Sequence, residues 1–236
     1  MCSSVWFCKL IEEKICGTGG TDMYPIHDLE GIEEIERSIE GNHIVILLMV
    51  KPQDENAEEI IQNFNYMHEL SGKFCTIYPI GYSEDFCGKY PDAIPVRGVG
   101  HAMWEYSDAC FIKVCKQLKR RLTHWNYSHE PELIILKNSS ANANGKVLDF
   151  RGYNHIDINY GVKEGYIRSF SNFLGTLIQA CEAEVEPQKA VANARVKSLS
   201  CRRIIEEALK TECTKQNSIR KILRDAAFFK SYRNAA

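Results

Sequence analysis

Cysteine and histidine are the residues of this chain that could carry redox or metal chemistry. Ten cysteines lie among the 236 residues, but their positions show no paired spacing, and several fall inside apolar periodic segments as small hydrophobic residues do. They stand at positions 2, 8, 16, 75, 87, 110, 115, 181, 201 and 213. This pattern predicts reduced, mostly buried thiols in a cytoplasmic protein rather than a disulfide framework.

A second candidate site precedes Pro131, where His124 and His129 bracket Trp125 and Tyr127. A His-x4-His pair can hold a metal only if both side chains face one way, and the aromatic and proline neighbours indicate a turn instead. We therefore expect no metal here. We expect Trp125 and Tyr127 to pack in the core or at its rim, with an exposed aromatic surface for a protein partner as the alternative.

The elements that must position these residues begin with the run Ile44–Val50, which is apolar at every position. Such a run is typical of a central strand buried on both faces, and it predicts helices on both sides of the sheet. A helix, Leu29–Glu40, precedes the strand, and Asn56 could cap the helix that follows it. The next strand, Phe74–Tyr82, completes a β–α–β unit, which favours parallel pairing.

The second half of the chain alternates between loops and regular elements. The segment Ser83–Ala102 is rich in glycine and proline and exceeds ordinary connections in length, which predicts a functional insertion or a mobile loop. Ser107 could cap the next helix. Two strands, Glu132–Lys137 and Lys146–Phe150, should form an antiparallel hairpin. A helix with an apolar stripe from Tyr166 to Cys181 follows.

This order of elements over residues 29–182 resembles the thioredoxin-like fold. Pro131 stands directly before a hairpin strand, where that family places its cis proline, and we take it as a structural cis-proline candidate. The resemblance implies an α/β fold: a central mixed sheet of about four strands flanked by helices, plus a C-terminal helical extension. It divides the chain into an N-terminal helical segment (1–40), a thioredoxin-like domain (41–182) and a basic extension (183–236).

The family's redox chemistry depends on a cysteine at the start of the helix after the first strand, where the helix dipole stabilises the thiolate. Here the segment Lys51–Ala57 reads Lys-Pro-Gln-Asp-Glu-Asn-Ala, and no cysteine lies between Cys16 and Cys75. The resemblance therefore implies a redox-inactive scaffold that needs no cofactor. A thiol-dependent or glutathione-binding enzyme, with a nonstandard site near Lys51, Tyr127 and Pro131, is the alternative.

The charge of the chain is divided unevenly. Residues 187–236 carry twelve Lys or Arg against four Asp or Glu, a net charge of +8, whereas residues 1–186 carry a net charge of −10. Two helices are predicted in this basic extension, Val191–Leu209 and Ile219–Phe229. The cationic side chains expected on their polar faces are Arg202, Arg203, Lys210, Arg220, Lys221 and Arg224.

Three interpretations of the basic extension remain open. Its helices could dock on the acidic body of the same chain, bind a groove of a partner protein, or contact nucleic acid weakly through phosphates. The longest apolar run has seven residues, which is too short to cross a bilayer, so no membrane partner is expected. We predict a cytoplasmic, non-catalytic interaction or regulatory subunit that binds a protein partner through this extension, with a nucleic-acid-binding accessory factor as a further alternative.

Overall fold

The computed structural model describes residues 28–39, 41–64, 66–67, 75–84, 86, 88–97, 103–139, 147–165, 167–183, 186–198 and 229–233. Its helices are α1 (Leu29–Ser38), α2 (Ala57–Gln62), α3 (Asp108–Arg121), α4 (Ile158–Lys163), α5 (Phe170–Ala183) and α6 (Pro187–Ser198). Its strands are β1 (His43–Met49), β2 (Cys75–Pro79), β3 (Tyr82–Ser83), β4 (Ile94–Arg97), β5 (Met103–Tyr106), β6 (Glu132–Asn138), β7 (Leu148–Asp157) and β8 (Phe229–Arg233).

The larger sheet has the strand order β2-β1-β6-β7-β8. β1 pairs in parallel with β2 and antiparallel with β6, and β6 and β7 form the predicted antiparallel hairpin. All seven residues of β1 are buried, and because successive side chains point to opposite faces, both faces of the sheet are covered there. A mixed sheet with helices, as observed here, is compatible with the thioredoxin-like arrangement that the sequence resembles.

A smaller sheet is formed by strands within and on either side of the predicted loop Ser83–Ala102. Its order is β3-β5-β4, and both pairings are antiparallel. The prediction for Ser83–Ala102 is therefore wrong at β4, which lies inside that segment, and the predicted strand Phe74–Tyr82 is divided between the two sheets. Gly81, at φ +85°, makes the bend between β2 and β3, a conformation that glycine adopts without steric cost.

The helices begin with different capping arrangements. Ser107 caps α3 as predicted, because its hydroxyl accepts a 3.0 Å hydrogen bond from the Cys110 N–H. Asn56 does not cap α2: it adopts a left-handed conformation, and its side chain donates to Asn159 Oδ1 instead. Within the described ranges, none of the helices combines the length and the apolar character that crossing a bilayer requires.

The described part of the C-terminal extension agrees with the first predicted helix and disagrees with the second. α6 runs from Pro187 to Ser198, so it contains the described part of the predicted helix Val191–Leu209 but begins earlier, and it packs against α5. Phe229, predicted as the end of a helix, is instead the first residue of β8, which pairs antiparallel with β7 at the edge of the larger sheet. Residues 199–228 lie outside the described residues.

Candidate functional site

The candidate site lies at the end of β1, where the resemblance implies a redox motif. The turn after this strand places Asp54 where its Oδ2 accepts two hydrogen bonds of 2.6 Å, one from the Lys51 backbone N–H and one from the Tyr127 hydroxyl. The Asp54 N–H donates to the Lys51 carbonyl at 3.0 Å, and Pro52 stands at the second position of this turn, where proline is favoured. The turn after β1 thus holds a hydrogen-bonded carboxylate.

The Lys51 side chain lies beside this carboxylate and is 15% exposed. Its Nζ is 2.6 Å from Asp108 Oδ1 and 5.1 Å from the centroid of the Phe111 ring. The Tyr106 hydroxyl donates to the same Asp108 oxygen at 3.0 Å. Because one ion pair and one aromatic face already engage the ammonium group, Lys51 is held in place rather than presented as a free cation.

The two aromatic candidates are buried rather than exposed. Trp125 is 5% exposed and Tyr127 is 9% exposed. The Tyr127 ring packs edge-on against Phe111 at 5.0 Å, and burial together with the hydrogen bond to Asp54 raises the pKa of Tyr127. Packing in the core is therefore confirmed, and the exposed aromatic surface expected as the alternative is wrong.

A buried carboxylate lies beneath the connection between α3 and β6. Glu132 is fully buried and accepts hydrogen bonds from Trp125 Nε1 at 3.0 Å and from the Ser128 hydroxyl at 3.2 Å. His155 Nε2 lies 2.6 Å from Glu132 Oε2, the same oxygen that accepts from Ser128. This network fixes the segment that leads into β6. The role of Glu132 was not predicted from the sequence, because this residue begins an otherwise apolar strand.

Pro131 does not have the predicted cis bond. No peptide bond among the described residues is cis, so the Glu130–Pro131 bond is trans, the usual form for proline in folded proteins. The Pro131 carbonyl accepts a 3.0 Å hydrogen bond from the Ile158 N–H at the start of α4. The proline therefore joins β6 to α4.

His124 and His129 both lie in the connection between α3 and β6, and both have positive φ angles. The His129 ring packs edge-on against the Tyr127 ring at 5.4 Å. Among the residues that the structure describes, no group of three or more His, Cys, Asp or Glu side chains is arranged to hold a metal ion.

Two described thiols lie on α3, close to this site. Burial, together with the neighbouring Glu132 carboxylate, raises the pKa of Cys115 to about 12. Burial also raises the pKa of Cys110 to about 11. Both groups are protonated at neutral pH, so neither is poised as a thiolate nucleophile.

A second buried carboxylate lies at the opposite end of β1. Glu36 is fully buried, and its two oxygens contact four polar side chains at 2.5 to 2.7 Å. These are Thr76 and Tyr78 on one oxygen, and His43 and Asn138 on the other. Sequence reasoning missed Glu36 because glutamate on a helix is normally solvated.

The predicted cationic residues of the extension, Arg202, Arg203, Lys210, Arg220, Lys221 and Arg224, all lie outside the described residues. Of the other predicted site residues, Tyr127 is bonded to Asp54, Trp125 is bonded to Glu132, and Pro131 directly precedes Glu132 in the chain. Comparison of the chain with protein family models, with curated proteins and with solved structures finds no match in any of the three.

Proposed function

We propose that this chain is a non-catalytic interaction or regulatory subunit on a redox-inactive thioredoxin-like scaffold. The observation that carries the proposal is Asp54, which stands at the end of β1 with one oxygen held by the Lys51 N–H and the Tyr127 hydroxyl. A carboxylate cannot perform thiol–disulfide exchange, since that reaction needs a thiolate to attack sulfur. Because Asp54, Lys51 and Tyr127 bond to neighbouring groups of the same chain, the site supports a structural role better than turnover.

The thiol-dependent enzyme is the weaker alternative because of the state of the thiols near the site. Cys115 is half-buried, and its raised pKa of about 12 leaves a negligible thiolate fraction at neutral pH. A catalytic cysteine requires the opposite, a lowered pKa in an electropositive and accessible setting.

Activity measurements on the full chain test this choice. We expect no reduction of a protein disulfide in the presence of dithiothreitol, and no conjugation of glutathione to an electrophilic aromatic substrate, above the uncatalysed rate. Catalysis of either reaction that is lost in the Cys115→Ser variant would establish the enzyme and remove the proposal.

The proposed partner is a protein that binds the basic extension. Support comes from charge: the twelve cationic residues after position 186 give this part of the chain a net charge of +8, which would steer it towards an acidic protein surface. A nucleic acid would also attract this charge, but its binding would weaken steeply as salt is raised.

Charge reversal in the full chain tests the contact. The double variant Arg202→Glu/Arg203→Glu is compared with Lys116→Glu/Arg120→Glu, which makes the same charge change at exposed positions of α3. We expect the first variant to lose co-purifying proteins, identified by quantitative mass spectrometry after nuclease treatment, and the second to retain them. Equal recovery by both variants would show that the extension is not the contact.

A further inference from the structure

Two cysteines far apart in the chain meet in the core, away from the candidate site. Cys75 is the first residue of β2, and Cys181 lies in the last turn of α5. Their side chains are 0% and 2% exposed, and the neighbouring Cys181 thiol is the largest cause of the raised pKa of Cys75. α5 packs against β2, which brings the two elements together.

The other described cysteines have different neighbours. The Cys110 thiol is hydrogen-bonded to Tyr90, and the charges of Glu132 and Lys51 act on the Cys115 thiol. All four described cysteines are free thiols. Among these four, Cys75 and Cys181 are therefore the two whose thiols are neighbours. They are 106 residues apart in the chain, so the spacing of cysteines in the sequence does not predict this pair.

We propose that Cys75 and Cys181 form an oxidisable pair that closes to a disulfide when the protein meets a small neutral oxidant such as hydrogen peroxide. One thiol attacks a peroxide oxygen, the O–O bond breaks, and a sulfenic acid and water form. The second thiol attacks the sulfenic sulfur, the S–S bond forms, and a second water leaves. Two thiols are oxidised and one peroxide is reduced to two waters. This reaction is stoichiometric and independent of the proposed function.

The surroundings of Cys75 and Cys181 determine how fast the two thiols are oxidised. The hydrogen bond to Cys181 and burial raise the pKa of Cys75 well above its usual value, so the first step is slow at neutral pH and accelerates as the pH rises. The second step is intramolecular, since the attacking thiol is already in contact. A small uncharged oxidant reaches this buried site more readily than glutathione disulfide does.

The disulfide would fasten an edge of the larger sheet. Within the described sheet, β2 is an end strand and pairs only with β1. A covalent bond from the start of β2 to α5 adds a second attachment and closes a long loop, which restricts the unfolded chain. We therefore expect the oxidised protein to melt several degrees above the reduced protein.

Peptide mapping of the full chain tests the proposal. Cys75 shares a tryptic peptide with Cys87, so the experiment uses the Cys87→Ser variant, with near-ultraviolet circular dichroism as the check that it is folded. The protein is oxidised with hydrogen peroxide or diamide under native conditions, free thiols are alkylated, and the digest is analysed by mass spectrometry. We expect a peptide pair linked through Cys75 and Cys181, and its reversal by dithiothreitol.

Matched variants keep the test decisive. The linked pair should persist in Cys110→Ser and Cys115→Ser, and the rise in melting temperature should disappear in Cys181→Ser and in Cys75→Ala. If both thiols are recovered alkylated after native oxidation, or if Cys75 is linked mainly to another cysteine, the proposal is overturned. Formation of the link only after denaturation overturns it as well.

Discussion

The Tyr127 hydroxyl donates a 2.6 Å hydrogen bond to Asp54 Oδ2, joining two turns that are 73 residues apart in the chain. One turn follows β1, and the other leads from α3 into β6. The same oxygen accepts the Lys51 N–H at 2.6 Å, so the carboxylate closes its own turn while it holds the second one. Asp54 therefore joins the loop that follows β1 to the loop that precedes β6.

Removing this hydrogen bond should destabilise the fold. We expect Tyr127→Phe to lower the free energy of unfolding by about 1.5–3 kcal/mol, the range for a hydrogen bond to a charged group. Urea denaturation followed by circular dichroism measures the change. The control is Tyr66→Phe, which removes a hydroxyl from a side chain that is 45% exposed and should change stability by less than about 0.5 kcal/mol. Equal losses in both variants would contradict the anchoring role.

The bend between the two sheets depends on Gly81. A Cβ atom at this position would lie 2.9 Å from Phe111 Cβ and 3.2 Å from the Ser107 carbonyl oxygen, at φ +85°. We expect Gly81→Ala to cost roughly 2–5 kcal/mol, because left-handed strain and overpacking act together. Thermal and urea denaturation measure the loss.

Gly41 provides the matched control for this substitution. Its φ is +89°, but a Cβ atom there would have no neighbour within 4 Å. Gly41→Ala should therefore cost only the backbone strain, about 1–2 kcal/mol. If Gly81→Ala and Gly41→Ala lower the free energy of unfolding equally, the close contacts at Gly81 do not contribute to the cost of the substitution.

The elements that sequence reasoning predicted correctly are those specified by local patterns. The apolar run at Ile44–Val50 contains the buried strand β1, and Ser107 makes the helix cap that its residue type favours. The hairpin of β6 and β7 follows from two strand-like runs that lie close together in the chain. Each of these features depends on residues that are close in the chain.

The features that escaped prediction depend on contacts between distant segments. Composition made the Ser83–Ala102 segment look like a loop, since glycine and proline are rare in strands, but pairing with β5 stabilises β4 inside it. Asn56 has the residue type of a cap, yet its side chain bonds to Asn159, 103 residues away. The buried carboxylates were equally hidden, because Glu36 is bonded by side chains from three separate strands and Glu132 by His155, 23 residues away, as well as by its own connection.

The buried Glu36 carboxylate should be one of the most sensitive positions in the chain. Glu36→Gln keeps the size of the side chain but replaces one acceptor oxygen with an NH₂ group that faces existing donors. We expect a loss of about 2–5 kcal/mol in the free energy of unfolding. Glu34→Gln, at an exposed position of the same helix, should stay within about 0.5 kcal/mol of the parent. A similar result for both would show that the Glu36 network does not contribute to stability.

Asp92 gives the fold a contribution that depends on pH. A 2.9 Å hydrogen bond from the Ala109 N–H and one from the Ser107 hydroxyl lower the pKa of Asp92 below its usual 3.8. A carboxyl whose pKa is lower in the folded state stabilises the fold above the unfolded pKa, and this stabilisation is lost as the pH falls through the folded pKa.

The Asp92→Asn variant isolates this contribution. Because the side chain is exposed, we expect the variant to be less stable than the parent at pH 7 by only about 0.5–1 kcal/mol. The difference should shrink as the pH falls below about 3.8 and approach zero once the parent carboxyl is protonated. Urea denaturation of both proteins between pH 7 and pH 2.5 measures it, and other acidic groups cancel in the comparison. A difference that stays constant over this range would show that the charge of Asp92 does not hold the start of α3.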